Sequence, residues 1–234
     1  MTSLRISEHF YSIQGEGATV GVPAIFVRFQ GCNLCCGNVS GTWRCDTIEV
    51  WMSGTRYSIV DWHQIFMNQY ESALKAGAHI VITGGEPLLQ QSAILTWLDM
   101  FESPPFVEIE TNGTILPSKE WQSFGLQWNV SLKLSNSGEP CNKRVQMDAI
   151  GYFKEHENVQ FKFVVATEDD VIEVLNTYDW VRQIPIAQKK LMPAADTKQQ
   201  LNERLPWVIN WAKQYGFSVS HRLHIALWNQ KTGV

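Results

Sequence analysis

Cys32, Cys35, Cys36 and Cys45 place four of the chain's five thiols within fourteen positions. Thiolates a few residues apart hold zinc or iron–sulfur clusters, and spacing alone leaves both open. A structural zinc asks for a fourth ligand, whereas the nearest histidine, His63, lies well beyond the cysteines and Cys141 is isolated. Three thiolates suit a cluster that leaves one iron free for a further ligand. The cysteine count is odd and four of the five are too close in sequence to join distant parts of a fold, which argues against a disulfide framework. Thiols clustered in this way point to metal or redox chemistry.

The elements that must position these thiols are legible as apolar, β-branched runs at 24–29, 79–83, 106–111, 128–132 and 160–165, which read as strands buried on both faces. Between them, 59–76, 88–101 and 199–215 carry apolar residues at helical spacing. Alternating strands and helices predict an α/β fold with a parallel sheet, open or curled into a barrel. The runs end in Thr83-Gly84-Gly85-Glu86-Pro87, Glu110-Thr111-Asn112-Gly113-Thr114 and Ser131-Leu132-Lys133-Leu134. Loops at strand C-termini of such a fold open on one face, so these segments are expected to converge on one site. No internal repeat or Pro/Ser-rich linker divides the chain, and residues 1–234 read as one domain. Trp121, Trp128, Trp180 and Trp211 fall on apolar faces and are expected in the core.

Composition narrows the partners. With 44% hydrophobic and 18% charged residues and a net charge of −4, the chain reads as a globular protein rather than a disordered one. The charge balance disfavours nucleic acid and anionic membrane surfaces as partners. The N-terminal residues lack the apolar stretch of a secretory signal, and no run of ~18 apolar residues occurs, so a cytoplasmic location is expected.

The ordered set Gln14-Gly15-Glu16-Gly17, Gly21 to Leu34, Cys36, Cys45-Asp46-Thr47, Ile82 to Pro87, Glu110 to Thr114, Ser131 to Leu134 and Arg222 to Trp228 resembles radical S-adenosylmethionine enzymes. More narrowly, it resembles the 7-carboxy-7-deazaguanine synthase family, over nearly the whole chain. The usual superfamily spacing puts three and then two residues between the cysteines; here the first gap is kept and eight residues separate Cys36 from Cys45. Gly37, Ser40 and Gly41 would let such an insert fold back.

The resemblance implies a partial (β/α) TIM-like barrel of the radical S-adenosylmethionine type, with a cluster-binding loop at 32–47 and a C-terminal segment that closes over substrate. It assigns Cys32, Cys36 and Cys45 to a 4Fe–4S cluster, leaving Cys35 and Cys141 as bystanders. S-adenosylmethionine would be held by Arg44, Asp46, Gly84, Gly85, Glu86, Ser131, Leu132 and Lys133; glycines let a backbone come close to a ligand. Mg2+ would be held by Thr47, which read without the resemblance is an ordinary N-cap or turn residue. The implied substrate is 6-carboxy-5,6,7,8-tetrahydropterin, met by Ile13, Gln14, Gly15, Glu16, Arg28, Thr83, His224 and Val234. Arg28, a costly charge among apolar neighbours, would be offset by the substrate carboxylate or by an internal ion pair. Glu16 would accept from ring N–H groups or brace its loop, and His224 is read on an alternating strand.

The implied reaction is that of a carbon–nitrogen lyase in 7-deazapurine, queuosine-type biosynthesis. A 5′-deoxyadenosyl radical abstracts hydrogen from C6, the ring contracts and ammonia leaves, with S-adenosylmethionine regenerated. A flavodoxin-like or ferredoxin-like electron donor and a homodimer belong to the same expectation. Two other readings stand beside it: another radical enzyme such as a glycyl-radical activase, and a zinc-stabilised binding domain with no catalysis.

Overall fold

In the computed structural model, which describes residues 3–231 and 233–234, a single sheet gathers every strand of the described residues. The strands are β1 (Ser3–Ile13), β2 (Pro23–Phe29), β3 (Thr55–Ser58), β4 (His79–Gly84), β5 (Val107–Thr111), β6 (Leu126–Ser131), β7 (Val159–Val165), β8 (Lys189–Pro193) and β9 (Ser218–Val219). Their order is β3-β1-β2-β4-β5-β6-β7-β8-β9. Neighbours from β2 to β9 run parallel, as the buried apolar runs predict. β1 departs from that expectation, pairing antiparallel with both β2 and β3. Arg28, Thr83, Thr111, Asn129, Lys162 and Met192, from six consecutive parallel strands, line one cavity. A sheet can aim six strands at one space only by curving, and this one is the wall of a partial (β/α) barrel.

Helices α1 (Ile48–Trp51), α2 (Ile59–Lys75), α3 (Gln91–Leu98), α4 (Cys141–Arg144), α5 (Met147–Lys154), α6 (Glu168–Thr177), α7 (Lys198–Tyr215) and α8 (Leu223–Trp228) complete the fold. α2 begins where Ser58 accepts from the Asp61 N–H, α6 opens on a reciprocal cap between Thr167 and Asp170, and α7 ends at a left-handed Gly216. The helix expected over 88–101 is shorter, because Pro87–Gln90 forms a 3-10 turn before α3 starts. The alternating strand expected around His224 is helix α8. β8 reads poorly in sequence because it opens on Lys189 and Lys190, both buried. Their amino groups reach the Val181 carbonyl at 2.8 Å and the Ser218 hydroxyl at 3.2 Å, which satisfies them without leaving the strand.

The outer face of the sheet packs on aromatic residues. Trp62 and Phe66 of α2 meet Trp97 of α3, and Trp121 and Phe153 flank Trp128 at centroid separations of 5.5 and 5.1 Å. Trp121, Trp128 and Trp180 are buried and Trp211 packs at the edge of the core, as expected, while Trp207 is exposed. Trp128→Ala should destabilise the fold by about 3–5 kcal/mol through the cavity it leaves. A denaturant midpoint unmoved from wild type would contradict this account of the core.

Candidate active site

The strand C-termini open on a cavity of about 270 Å3. Cys32, Cys36, Cys45, Arg44, Asp46, Thr47, Gly84, Gly85, Ser131 and Lys133 line it, as do Ile13, Gln14, Gly15, Glu16, Arg28, Thr83, His224 and Val234. Of the residues expected from sequence, Glu86 and Leu132 do not. Leu132 lies in the core. Glu86 is fully buried behind the cavity wall, where its carboxyl accepts from the Leu88 and Asn112 N–H groups at 3.0 and 2.7 Å and from the Thr111 hydroxyl at 2.9 Å. Burial pushes this carboxyl up to about 7, against the pull of those donors. Its geometry is that of a clamp on the loops after β4 and β5.

The adjacent cysteines point in opposite senses. Cys36 is buried and turned to the cavity beside Cys32 and Cys45, whereas Cys35 is exposed and its N–H donates to Glu139 Oε1 at 2.5 Å. Cys141, also exposed, lies outside the cavity. The insert 37–44 folds back onto the turn after β6. Gly37 N–H donates to the Ser137 carbonyl and Thr42 N–H to the Asn136 carbonyl, both at 2.8 Å, and Trp43 Nε1 donates to Asn136 Oδ1 at 2.8 Å. The Cys45 N–H then returns to the Cys36 carbonyl at 3.2 Å, closing the loop.

Burial pushes the Cys32 and Cys36 thiols up to about 11, so the metal-free protein holds them neutral at physiological pH. Thiolates there require a bound cation to stabilise them. Among the described residues no three His, Cys, Asp or Glu side chains converge on a single-ion site. Three sulfurs arranged around a shared space fit a multi-iron cluster, in which each thiolate bonds a different iron. Thr47 is the N-cap of α1 yet makes no capping bond with its side chain; its hydroxyl instead lies 3.4 Å from Cys45 Sγ. Gly85 crosses the cluster loop so closely that a Cβ would sit 2.3 Å from the Gly31 carbonyl oxygen and 2.6 Å from Cys32 Cβ. Lys133 Nζ reaches Ser131 Oγ at 2.8 Å and stands over the Trp43 ring. Arg44 sits at the mouth, paired with Glu49.

The opposite wall is charged. Glu16 accepts from Lys162 Nζ at 2.8 Å and from Arg222 Nε at 3.1 Å, and Arg222 Nη2 reaches Asp46 at 2.6 Å. Burial alone would raise the Glu16 carboxyl, but Lys162 and Arg222 hold it well below the usual carboxylate range. Glu16 in turn raises Lys162 against the lowering effect of burial, so both stay charged. His224 packs its ring on Gly15, where any Cβ would lie 2.3 Å from Nδ1; burial lowers its pKa. Arg28 pairs with Glu8 at 2.8 Å through Nε. Gln14 Nε2 donates toward Glu110 Oε1 at 3.3 Å.

Sequence reasoning passed over Lys162 as a cavity residue, and it placed Glu110 and Arg222 in motif segments without giving either a role. The available signal was the one used for Arg28, a charge inside an apolar run such as Gln160-Phe161-Lys162-Phe163. The site as a whole sets three inward thiols and a glycine ledge across from a fixed array of charges, so it can hold a metal cluster at one end and a polar, anionic ring at the other.

No protein-family model matches the chain. Individual relatives do. The 7-carboxy-7-deazaguanine synthase of Pyrobaculum aerophilum is 34% identical, with 98% of this chain and 97% of that protein aligned. That of Halobacterium salinarum is 32% identical, over 97% of this chain and 91% of the relative. Among solved structures, QueE from Escherichia coli superposes with a TM-score of 0.71 at 23% identity, covering 96% of both chains, which places the fold. Relatives of one name along nearly the full length do not favour the activase or zinc-domain readings.

In metal-free protein at pH 8, iodoacetamide should label Cys35 and Cys141 first. Cys32 and Cys36, at about 11, carry about 100-fold less thiolate than an ordinary thiol, and their labelling should climb as pH approaches that value. Peptide mapping that finds Cys36 modified as fast as Cys35 would reverse their assignment. Gly85→Ala should cost about 1–3 kcal/mol by overpacking against the cluster loop. It should lower iron and sulfide content while the circular dichroism of the fold persists; full iron loading in this variant would remove the constraint argued for Gly85.

Proposed function

We propose that this chain, which belongs to the 7-carboxy-7-deazaguanine synthase family, converts 6-carboxy-5,6,7,8-tetrahydropterin into 7-carboxy-7-deazaguanine and ammonia. The observation that carries this is one cavity joining the inward-facing Cys32, Cys36 and Cys45 to the fixed charges of Arg28, Glu16, Lys162 and Arg222. The reaction is balanced without a net oxidant: loss of ammonia from the tetrahydropterin accounts for every atom of the contracted ring. It makes the enzyme a carbon–nitrogen lyase of 7-deazapurine biosynthesis.

When bound, a 4Fe–4S cluster with S-adenosylmethionine supplies the carbon radical that takes and later returns one hydrogen. Cys32, Cys36 and Cys45 would hold the cluster, and Gly84, Gly85, Ser131 and Lys133 would form the ledge for the methionine and ribose of S-adenosylmethionine. Glu86 and Leu132 would support that ledge from behind it. Arg44 and Asp46 border the same space.

At the opposite wall, Arg28 spends Nε on Glu8 and its terminal nitrogens make no hydrogen bond among the described residues. Those nitrogens suit the substrate carboxylate, so the ion pair aims the guanidinium rather than consuming it. Glu16 is taken up by Lys162 and Arg222, which favours its bracing role. Glu110, beside Gln14, is the carboxylate left to accept from the amino and ring N–H groups of the pterin. Thr83, Ile13 and Gly15 line the space between, and the segment from Arg222 to Val234, with His224, would close it and exclude water from a radical reaction. Mg2+ would take Thr47 Oγ1 as its protein ligand, since that hydroxyl caps no helix and faces the cavity; water and substrate oxygens would complete its octahedron. A one-electron donor of flavodoxin or ferredoxin type and a homodimeric assembly go with this proposal.

The test is anaerobic. Protein reconstituted with iron and sulfide, reduced, and supplied with S-adenosylmethionine, Mg2+ and 6-carboxytetrahydropterin should yield 7-carboxy-7-deazaguanine by mass spectrometry. Cys36→Ala should abolish the product and Cys35→Ala should retain it. Arg28→Ala should raise KM at least about tenfold, the worth of one charge-assisted hydrogen bond. Deoxyadenosine without that product would mean a different substrate for the same radical chemistry.

A further inference from the structure

We propose that Asn112 tunes the reduction potential of the cluster by donating a side-chain N–H to the sulfur of Cys32. The inference rests on the cluster reading above and deepens it. Asn112 follows β5, is nearly fully buried, and lines the cavity. Its Nδ2 lies 3.9 Å from Cys32 Sγ and 2.9 Å from Asn33 Oδ1.

Which end of the amide faces the sulfur follows from its other partners. Asn112 Oδ1 receives the Thr114 N–H at 3.0 Å and the Thr114 hydroxyl at 2.6 Å. A backbone N–H can only donate, so the atom facing it must be the carbonyl oxygen, and the NH2 group is turned toward the cluster loop. Asn33 closes the ring by donating its own Nδ2 to Thr114 Oγ1 at 2.7 Å, and the Asn112 backbone N–H is held by Glu86 Oε2 at 2.7 Å. Flipping the amide would set its NH2 against the Thr114 N–H and its oxygen against Asn33 Oδ1. The donor is therefore built in.

Cys32 also faces the Leu34 N–H at 3.5 Å, so two N–H groups address this one sulfur. Among the described residues the other two inward thiols lack such a pair: Cys45 has only the Thr47 hydroxyl at its sulfur. Hydrogen bonds to cluster sulfurs stabilise the more electron-rich state and raise the potential. Asn112 thus makes the cluster easier to reduce and places that bias on the iron bound by Cys32.

The experiment is a potentiometric titration of anaerobically reconstituted protein, without S-adenosylmethionine, followed by the electron paramagnetic resonance of the reduced cluster. Asn112→Ala should shift the midpoint to more negative potential by about 59 mV, a tenfold lower equilibrium constant for adding one electron. Asn112→Asp, which sets a carboxylate oxygen toward the sulfur, should shift it further in the same direction. If these variants load no cluster, Thr114→Val, which removes one anchor of the amide, should give a smaller negative shift. Fully loaded variants with the wild-type midpoint overturn this inference alone. A wild-type protein that takes up no iron overturns the cluster reading and this inference with it.

Discussion

Four charges from four distant parts of the chain meet in the bridge that runs from Lys162 through Glu16 and Arg222 to Asp46. Lys162 belongs to β7, Glu16 to the turn after β1, Asp46 to the cluster loop and Arg222 to the segment before α8. The sheet does not close on itself, since β3 and β9 lie at its two ends. The gap on the cavity side is spanned instead by this bridge, together with Leu223 N–H on the Gly15 carbonyl at 2.9 Å and Gly17 N–H on Ser220 Oγ at 3.0 Å. Removing one partner of such a buried set would leave a charge without compensation, a loss of about 3–5 kcal/mol. The set is retained at that risk because it fixes the polar wall of the cavity before any ligand arrives.

The thiol wall is organised on the opposite logic. Its backbone is ordered chiefly by contacts away from the sulfurs: the insert spends its donors on the turn at 136–138, Gly85 presses on Gly31, and the Glu86 carboxyl gathers the loops behind it. The Cys32 and Cys36 sulfurs are left neutral and desolvated, a state that a bound cation improves. Arg144 and Tyr178 extend the same frame by donating to the Lys133 carbonyl at 3.1 and 3.0 Å, which ties the loop after β6 to α4 and to the chain beyond α6. The long insert between Cys36 and Cys45 therefore does not loosen the loop. It makes the cysteines and the loop after β6 one mechanical unit.

Legibility in the sequence followed the type of constraint. β2, β4, β5, β6 and β7 were readable because burial on both faces writes continuous apolar runs, and α2 and α7 because their buried faces recur at helical spacing. β1 and β8 were not, since half the side chains of β1 are polar and β8 opens on two lysines whose amino groups find partners only in three dimensions. The antiparallel edge was equally hidden, because pairing direction leaves no mark in one strand's pattern. In the site, nearly every residue the family resemblance implied lines one cavity. The resemblance could not say that Glu86 faces away from that cavity, or that Glu16 is already engaged, because both depend on donors far away in sequence.

Backbone bonding separates Cys35 from Cys36, although the two are adjacent in sequence. Cys36 opens the turn that starts the insert and is buried at the cavity, whereas Cys35 just before it is exposed. The Cys35 N–H donates to the buried Glu139 carboxylate, while the Cys36 carbonyl receives the Cys45 N–H. The second bond makes Cys36 and Cys45 neighbours although eight residues separate them, restoring in space a closeness that the insert removes from the sequence. This return keeps Cys32, Cys36 and Cys45 on one cavity despite the insert. The glycines at 37 and 41 permit that return, because Gly37 packs against the Cα of Arg44 and Gly41 against the Ser137 carbonyl, where a side chain would collide.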